Sequence, residues 1–246
     1  MTKEENVFNE FVCVNADIRS PKSDEMHQYV AELLVYGECT PFEAPDLYVK
    51  NDNTICIVEH FAFDGSETNR KGSRSQRERA RIQRAAEEEF IKNNSCYHLD
   101  SINGEYCYED YVKNALDGLQ AHYEKITAYK EHLKNEGVIT PETNIKVFFL
   151  VEDVSPLPLL YKAAETRQLV QPVTLAYSKE FLNVLAESPD LDGVILCQRG
   201  DGVSKCTWLI LRAAIAEYYE RTLDYRDEAI ISFNPKTITY NMPLPQ

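Results

Sequence analysis

Along residues 24 to 36 the apolar positions Met26, Tyr29, Val30, Leu33 and Leu34 recur at steps of three and four, the period of one helix face. Asp24 and Glu25 place negative charge at the first turn, and Gly37 follows where a helix end favours glycine, so a helix is predicted over this span. The period then changes. Leu47-Tyr48-Val49-Lys50 and the run from Thr54 to Phe63 are rich in β-branched and aromatic residues, with Asn51-Asp52-Asn53 between them. This predicts a hairpin of one short and one longer strand. Residues 7 to 14 are apolar without a period that separates helix from strand.

Ser75-Gln76-Arg77-Glu78 matches a capping box and predicts a helix over about 76 to 92, with Ile82, Ala86 and Phe90 on one face. A longer stripe, Val112, Leu116, Leu119, Tyr123, Ile126, Tyr129 and Leu133, predicts a helix over 108 to 135, stopped by Gly137 and Pro141. Together these helices suggest an antiparallel arm, or insertion, at about 75 to 136. Strand-like runs return at 145 to 151, 173 to 176 and 193 to 197, with helical patterns at 156 to 166 and, behind Ser178, at 178 to 187. Asp201-Gly202 marks a tight turn, a helix is expected at 208 to 222, and residues 230 to 233 and 237 to 240 read as a terminal hairpin. Strands alternating with helices give one α/β domain over residues 1 to 246, a mixed central sheet flanked by helices.

The 246 residues, 43% hydrophobic and 27% charged, have the composition of a chain that folds around its own core. No run approaches the roughly 20 apolar residues that span a membrane, and the polar start Met1 to Asn6 is unlike a secretory signal, so a cytoplasmic protein is expected. The seven cysteines form no C-x-x-C pair and no zinc-finger spacing, which suits free thiols in a reducing compartment. There is no P-loop, no dinucleotide-binding glycine fingerprint and no H-E-x-x-H.

A net charge of −14 repels a phosphate backbone, so any nucleic-acid contact must be local. Residues 69 to 84 hold Arg70, Lys71, Arg74, Arg77, Arg79, Arg81 and Arg84 against the single acid Glu78. Of these, Arg70, Lys71, Arg74, Arg77 and Arg81 are the candidate phosphate contacts; a solvated face pairing with the chain's own carboxylates is the alternative. Tyr108, Tyr111, Tyr123 and Tyr129 lie at helical spacing, as core or as the surface of a homodimer.

Side chains two apart on a strand share a face, which groups Asp46 with Tyr48 and Lys50, and Glu59 with Ile55, Ile57, Phe61 and Phe63. A carboxylate among such neighbours must be exposed at a strand end, paired or bound, because burying it alone costs several kcal/mol in order of magnitude. If the strands pair, Asp46 and Glu59 converge on one hard divalent cation, which prefers carboxylate oxygens. The structural alternatives are turn chemistry for Asp46 and a salt bridge to Lys50 or a following arginine for Glu59. His60 falls on the opposite face with Asp64 and reads as structural, and Glu152-Asp153 reads as a strand ending at solvent or as further carboxylates for a metal.

Residues 24 to 92 resemble the PD-(D/E)XK, or restriction-endonuclease-like, nucleases. The likeness rests on a helix, Pro45-Asp46 at the start of a strand, an acid 59 − 46 = 13 residues later in the hydrophobic strand Glu59-His60-Phe61, and a helix after it. It implies that Asp46 and Glu59 bind Mg2+ or Mn2+, with the His60 carbonyl a further ligand, in a nuclease acting on DNA or RNA. The family's lysine two residues after the second acid is replaced by Phe61, so either another cation, with Lys50, Arg70 and Lys71 as candidates, serves the site, or the fold binds or assembles without cutting.

Overall fold

The structure is a computed structural model describing residues 2–13, 18–19, 25–66, 68–69, 72–73, 77, 80–81, 84–85, 88, 92, 98–99, 104–155, 158–161, 169–172, 174–199, 205–220, 222, 230–233 and 238–239. Its centre is a seven-stranded sheet. The strands are β1 (Ile18–Arg19), β2 (Glu38–Pro41), β3 (Leu47–Asn51), β4 (Thr54–Phe63), β5 (Asn144–Asp153), β6 (Gly193–Arg199) and β7 (Lys205–Leu211). In space they run β1-β7-β6-β5-β4-β3-β2. β2, β3 and β4 form an antiparallel meander, β4, β5 and β6 are parallel, β7 is antiparallel to β6, and β1 pairs parallel to β7.

The two central strands explain why the sheet needs helices on both faces. β4 and β5 are nearly continuous apolar runs, the pattern of parallel strands buried on both sides. Alternate residues feed two separate cores. Ile55, Ile57, Phe61, Val147, Phe149 and Val194 face one cluster, closed by the helices α3 (Tyr108–Tyr123), α4 (Ile126–Asn135) and α5 (Lys179–Ala186). Cys56, Val58, Phe148, Leu150 and Ile195 face the other, closed by α1 (Lys3–Phe8), the π-helical turn Asn9–Cys13 and α2 (Glu25–Tyr36). A further short helix, α6 (Ile215–Tyr219), follows β7. No helix among the described residues is long and apolar enough to cross a membrane.

The apolar stretch at 7 to 13 is helical, started by a capping box in which Thr2 and Glu5 each accept the other's main-chain N–H at 3.1 Å. The expected long helix at 108 to 135 is broken at Glu124-Lys125, giving α3 and α4, and both pack on the sheet rather than standing off it as an arm. Gly137, at φ +72°, closes α4 in the left-handed conformation, with Val138 N–H donating back to the Leu133 carbonyl at 2.9 Å.

Four further expectations change. Residues 158 to 161, placed in a helix, are a strand between Ile230–Phe233 and Leu169–Pro172, and Gly104–Cys107 completes that second sheet. Leu175 and Ala176, expected at the end of a strand, belong instead to a 3-10 turn, Leu175–Tyr177, in which the Thr174 hydroxyl accepts the Ala176 N–H. Residues 208 to 211 extend β7, because the run Trp208 to Leu211 finds β6 as a partner, and helix begins only after it. Ile230–Phe233 and Ile238–Thr239 do not pair with each other; the latter joins His98–Leu99. The Ser75 box and the Asp201-Gly202 turn lie outside the described residues.

Candidate functional site

The register Leu47 opposite Val58 and Tyr48 opposite Ile57 sets Asp46, the residue before β3, across from Glu59 in the middle of β4. The pairing expected from sequence is therefore present. Asp46 N–H donates to Oε2 of Glu59 at 3.2 Å, and Oδ2 of Asp46 accepts the His60 N–H at 2.7 Å. Each acid thus holds the main chain of the other's strand. Phe42 N–H donates to the Asp46 carbonyl at 2.8 Å, closing the loop from β2.

Glu59 is 7% exposed, and its side-chain partners come from α3 and α4 rather than from Lys50. Its Oε1 accepts the Tyr129 hydroxyl at 2.6 Å and Nδ1 of His122 at 2.8 Å. Burial pushes its carboxyl pKa up, but the hydrogen bonds from His122 and Tyr129, the His122 charge and the Asp46 N–H more than offset it, leaving the group below its ordinary value. Asp46 moves the other way: burial raises it, the His60 N–H lowers it, and the nearby charge of Glu59 raises it again. The Tyr129 phenol is raised, first by burial and then by its bond to Glu59.

α4 grips the same corner a second time. Tyr129 and His132, three apart and on one helix face, reach Glu59 and the Ala44 carbonyl, the latter at 2.8 Å from Nδ1 of His132. A carbonyl only accepts, so that Nδ1 carries the proton. The Phe42 ring lies against His132 with centroids 4.9 Å apart.

Phe61, which stands where the resemblance would expect a lysine, is buried and stacked on His122, with centroids 5.2 Å apart and planes 10° from parallel. Lys50 is exposed, opposite Ile55 and Glu38, and four residues along the chain from Asp46. At roughly 3.3 Å per residue that is ~13 Å, so the structure does not bring Lys50 to the acids. Arg77, Arg81 and Arg84 are helical, with Arg81 and Arg84 exposed; Arg70, Lys71 and Arg74 lie outside the described residues.

No family model, curated protein or solved structure matches this chain. The site must therefore be read from its own atoms.

Glu152 and Asp153 do not end β5 at solvent. Both are buried, Glu152 3.1 Å from Nε2 of His60, and Asp153 accepting the Tyr111 hydroxyl at 2.8 Å and the Gln198 amide at 3.3 Å. Burial raises the Asp153 pKa, against hydrogen bonds from Ser155, Tyr111 and Gln198. These groups tie the carboxyl ends of β4, β5 and β6 together, and they do not join Asp46 and Glu59: among the described residues no group of three or more His, Cys, Asp or Glu side chains is set to hold a metal.

The acid pair still suits one kind of ion. Among the described residues Oδ1 of Asp46 accepts no hydrogen bond, and Oε2 of Glu59 accepts only one. The charge of Glu59 raises the Asp46 pKa, and like charges this close favour a cation between them. Magnesium characteristically takes one or two carboxylates and fills its remaining positions with water and substrate oxygens.

Sequence reasoning missed His122 and Tyr129, which reach Glu59 from 63 and 70 residues away. Tyr129 carried a signal as a helical-stripe tyrosine, but nothing local tied it to an acid on a strand.

Proposed function

We propose that this chain is a restriction-endonuclease-like protein that hydrolyses phosphodiester bonds in DNA or RNA with the help of Mg2+ or Mn2+. The observation that carries the reading is the meeting of Asp46 and Glu59 across paired strands, with Asp46 N–H on Oε2 of Glu59. The order of helix, Pro-Asp strand and acid-bearing strand supports it further. Asp46 and Glu59 would hold the ion; when bound, it supplies charge for the phosphate and an acidified water. The helical Arg77 and Arg81, beside the exposed Arg84, lie where the chain continues from the acid strand and would position a phosphate backbone.

A second reading has one specific observation in its favour: Phe61 fills the lysine position and is buried there against His122. On that reading the fold binds nucleic acid, or assembles with a partner, and does not cut. Incubating the purified protein with DNA and with RNA, with Mg2+ or Mn2+ and with chelator, separates the two. Metal-dependent cleavage lost in Asp46→Ala and Glu59→Ala supports the first; binding without cleavage supports the second.

A further inference from the structure

We infer that Tyr129 and His122 are positioning residues that orient Glu59 toward a metal ion at Oε2, an inference that rests on the proposed metal-dependent reading. A carboxylate on a strand turns about its last torsion, a broad one, unless something fixes it. Here Oε1 is held by two side chains at 2.6 and 2.8 Å, one from α4 and one from α3, and the two approach as donors to the same oxygen. With Oε1 fixed, Oε2 is left on the side of Asp46, whose N–H it meets at 3.2 Å. The carboxylate plane is set before any ion arrives.

The donors are themselves held. His122 is stacked on Phe61 and edge-on to Phe149, so its ring has little freedom to turn. Tyr129 is buried, and the helix that carries it is anchored one turn later through His132 to the Ala44 carbonyl, two residues before Asp46. One helix therefore fixes both acids, Glu59 by a side chain and Asp46 through its loop. Phe61 has a function in this arrangement: where the family places a lysine, it supplies the flat surface on which His122 rests. Groups that orient a ligating carboxylate typically change metal affinity by roughly 10–100-fold when removed.

The test is calorimetric titration of the full chain with Mn2+, beside thermal unfolding of each variant. Tyr129→Phe keeps the ring and removes only the hydroxyl; it should weaken Mn2+ binding by ~10–100-fold. His122→Ala should do the same, and His122→Asn, which places an amide donor near the former Nδ1 position, should recover much of the affinity. A structural role alone would lower the unfolding temperature of Tyr129→Phe and leave its Mn2+ affinity unchanged, and that result overturns the inference. If wild-type protein binds Mn2+ and Asp46→Ala does not, while Tyr129→Phe binds as wild type, the inference fails and the metal-dependent reading stands. If wild type and Asp46→Ala take up Mn2+ equally, or neither does, both fall.

Discussion

The rings of Phe61 and His122 lie 10° from parallel with centroids 5.2 Å apart, and the edge of Phe61 also sits against Gly118 of α3. A Cβ at Gly118 would come within 2.6 Å of Phe61 Cε2 and 2.7 Å of Cδ2. The stack, and with it the approach of His122 to Glu59, depends on a helix that passes this close.

Gly118→Ala sets two magnitudes against each other. Alanine in a helix interior is worth about 1 kcal/mol over glycine, whereas overpacking a filled core costs about 1–3 kcal/mol. Phe61 is buried and packs against both His122 and Phe149, so moving it disturbs those contacts and the clash should win. Urea unfolding should show a loss of ~1 kcal/mol with unchanged slope. Combining the change with Phe61→Leu should recover part of it; an unchanged or raised midpoint in Gly118→Ala would refute the packing argument.

The depressed pKa of Glu59 gives its stabilising contribution a definite pH dependence. A carboxyl whose folded pKa lies below its unfolded value, about 4.3 for glutamate, stabilises the fold above that value and loses the contribution as pH falls through the folded one. Glu59→Gln should therefore be less stable than wild type near neutrality, and the gap should narrow as pH drops below about 4. Asp153, held above its ordinary value by burial, has the opposite sign, and being present in both proteins it cancels from the difference. A gap that stays constant from about pH 7 to about pH 3 would count against an ionised Glu59 in the folded state.

Arg81 and Arg84 are the exposed cations of the described part of the basic segment. Replacing both with glutamine should weaken DNA and RNA binding to a similar degree for all sequences, as expected for groups that touch only the backbone. The slope of log affinity against log salt should fall by about 0.9 for each duplex phosphate that the variant no longer neutralises. Filter binding at several salt concentrations measures this, and an unchanged slope would remove the segment from the interface.

The hairpin of β3 and β4 was legible because its signals are local: a period of two, β-branched residues and the turn at Asn51-Asp52-Asn53. The same period exposed Glu59 as a carboxylate in an apolar face needing a partner. The partners were not legible, because His122 and Tyr129 arrive through tertiary packing from helices more than 60 residues away. Lys50 failed as a candidate for a related reason: sharing a face with Asp46 says nothing of the distance along the strand. Trp208 to Leu211 misled in another way, since a short unbroken apolar run suits a buried strand as well as a helix, and only pairing with β6 decides. Glu152 and Asp153 looked like a strand end at water because charges usually mark one; here His60, Tyr111 and Gln198 make burial tolerable.

The most direct test of the central claim is cleavage of DNA and RNA by the purified chain in Mg2+ or Mn2+, with Asp46→Ala and Glu59→Ala alongside and chelator as control. Nicking or degradation that requires the ion and is abolished in both variants is the expected result. No metal-dependent cutting by the wild-type chain, or equal cutting by the variants, would contradict it.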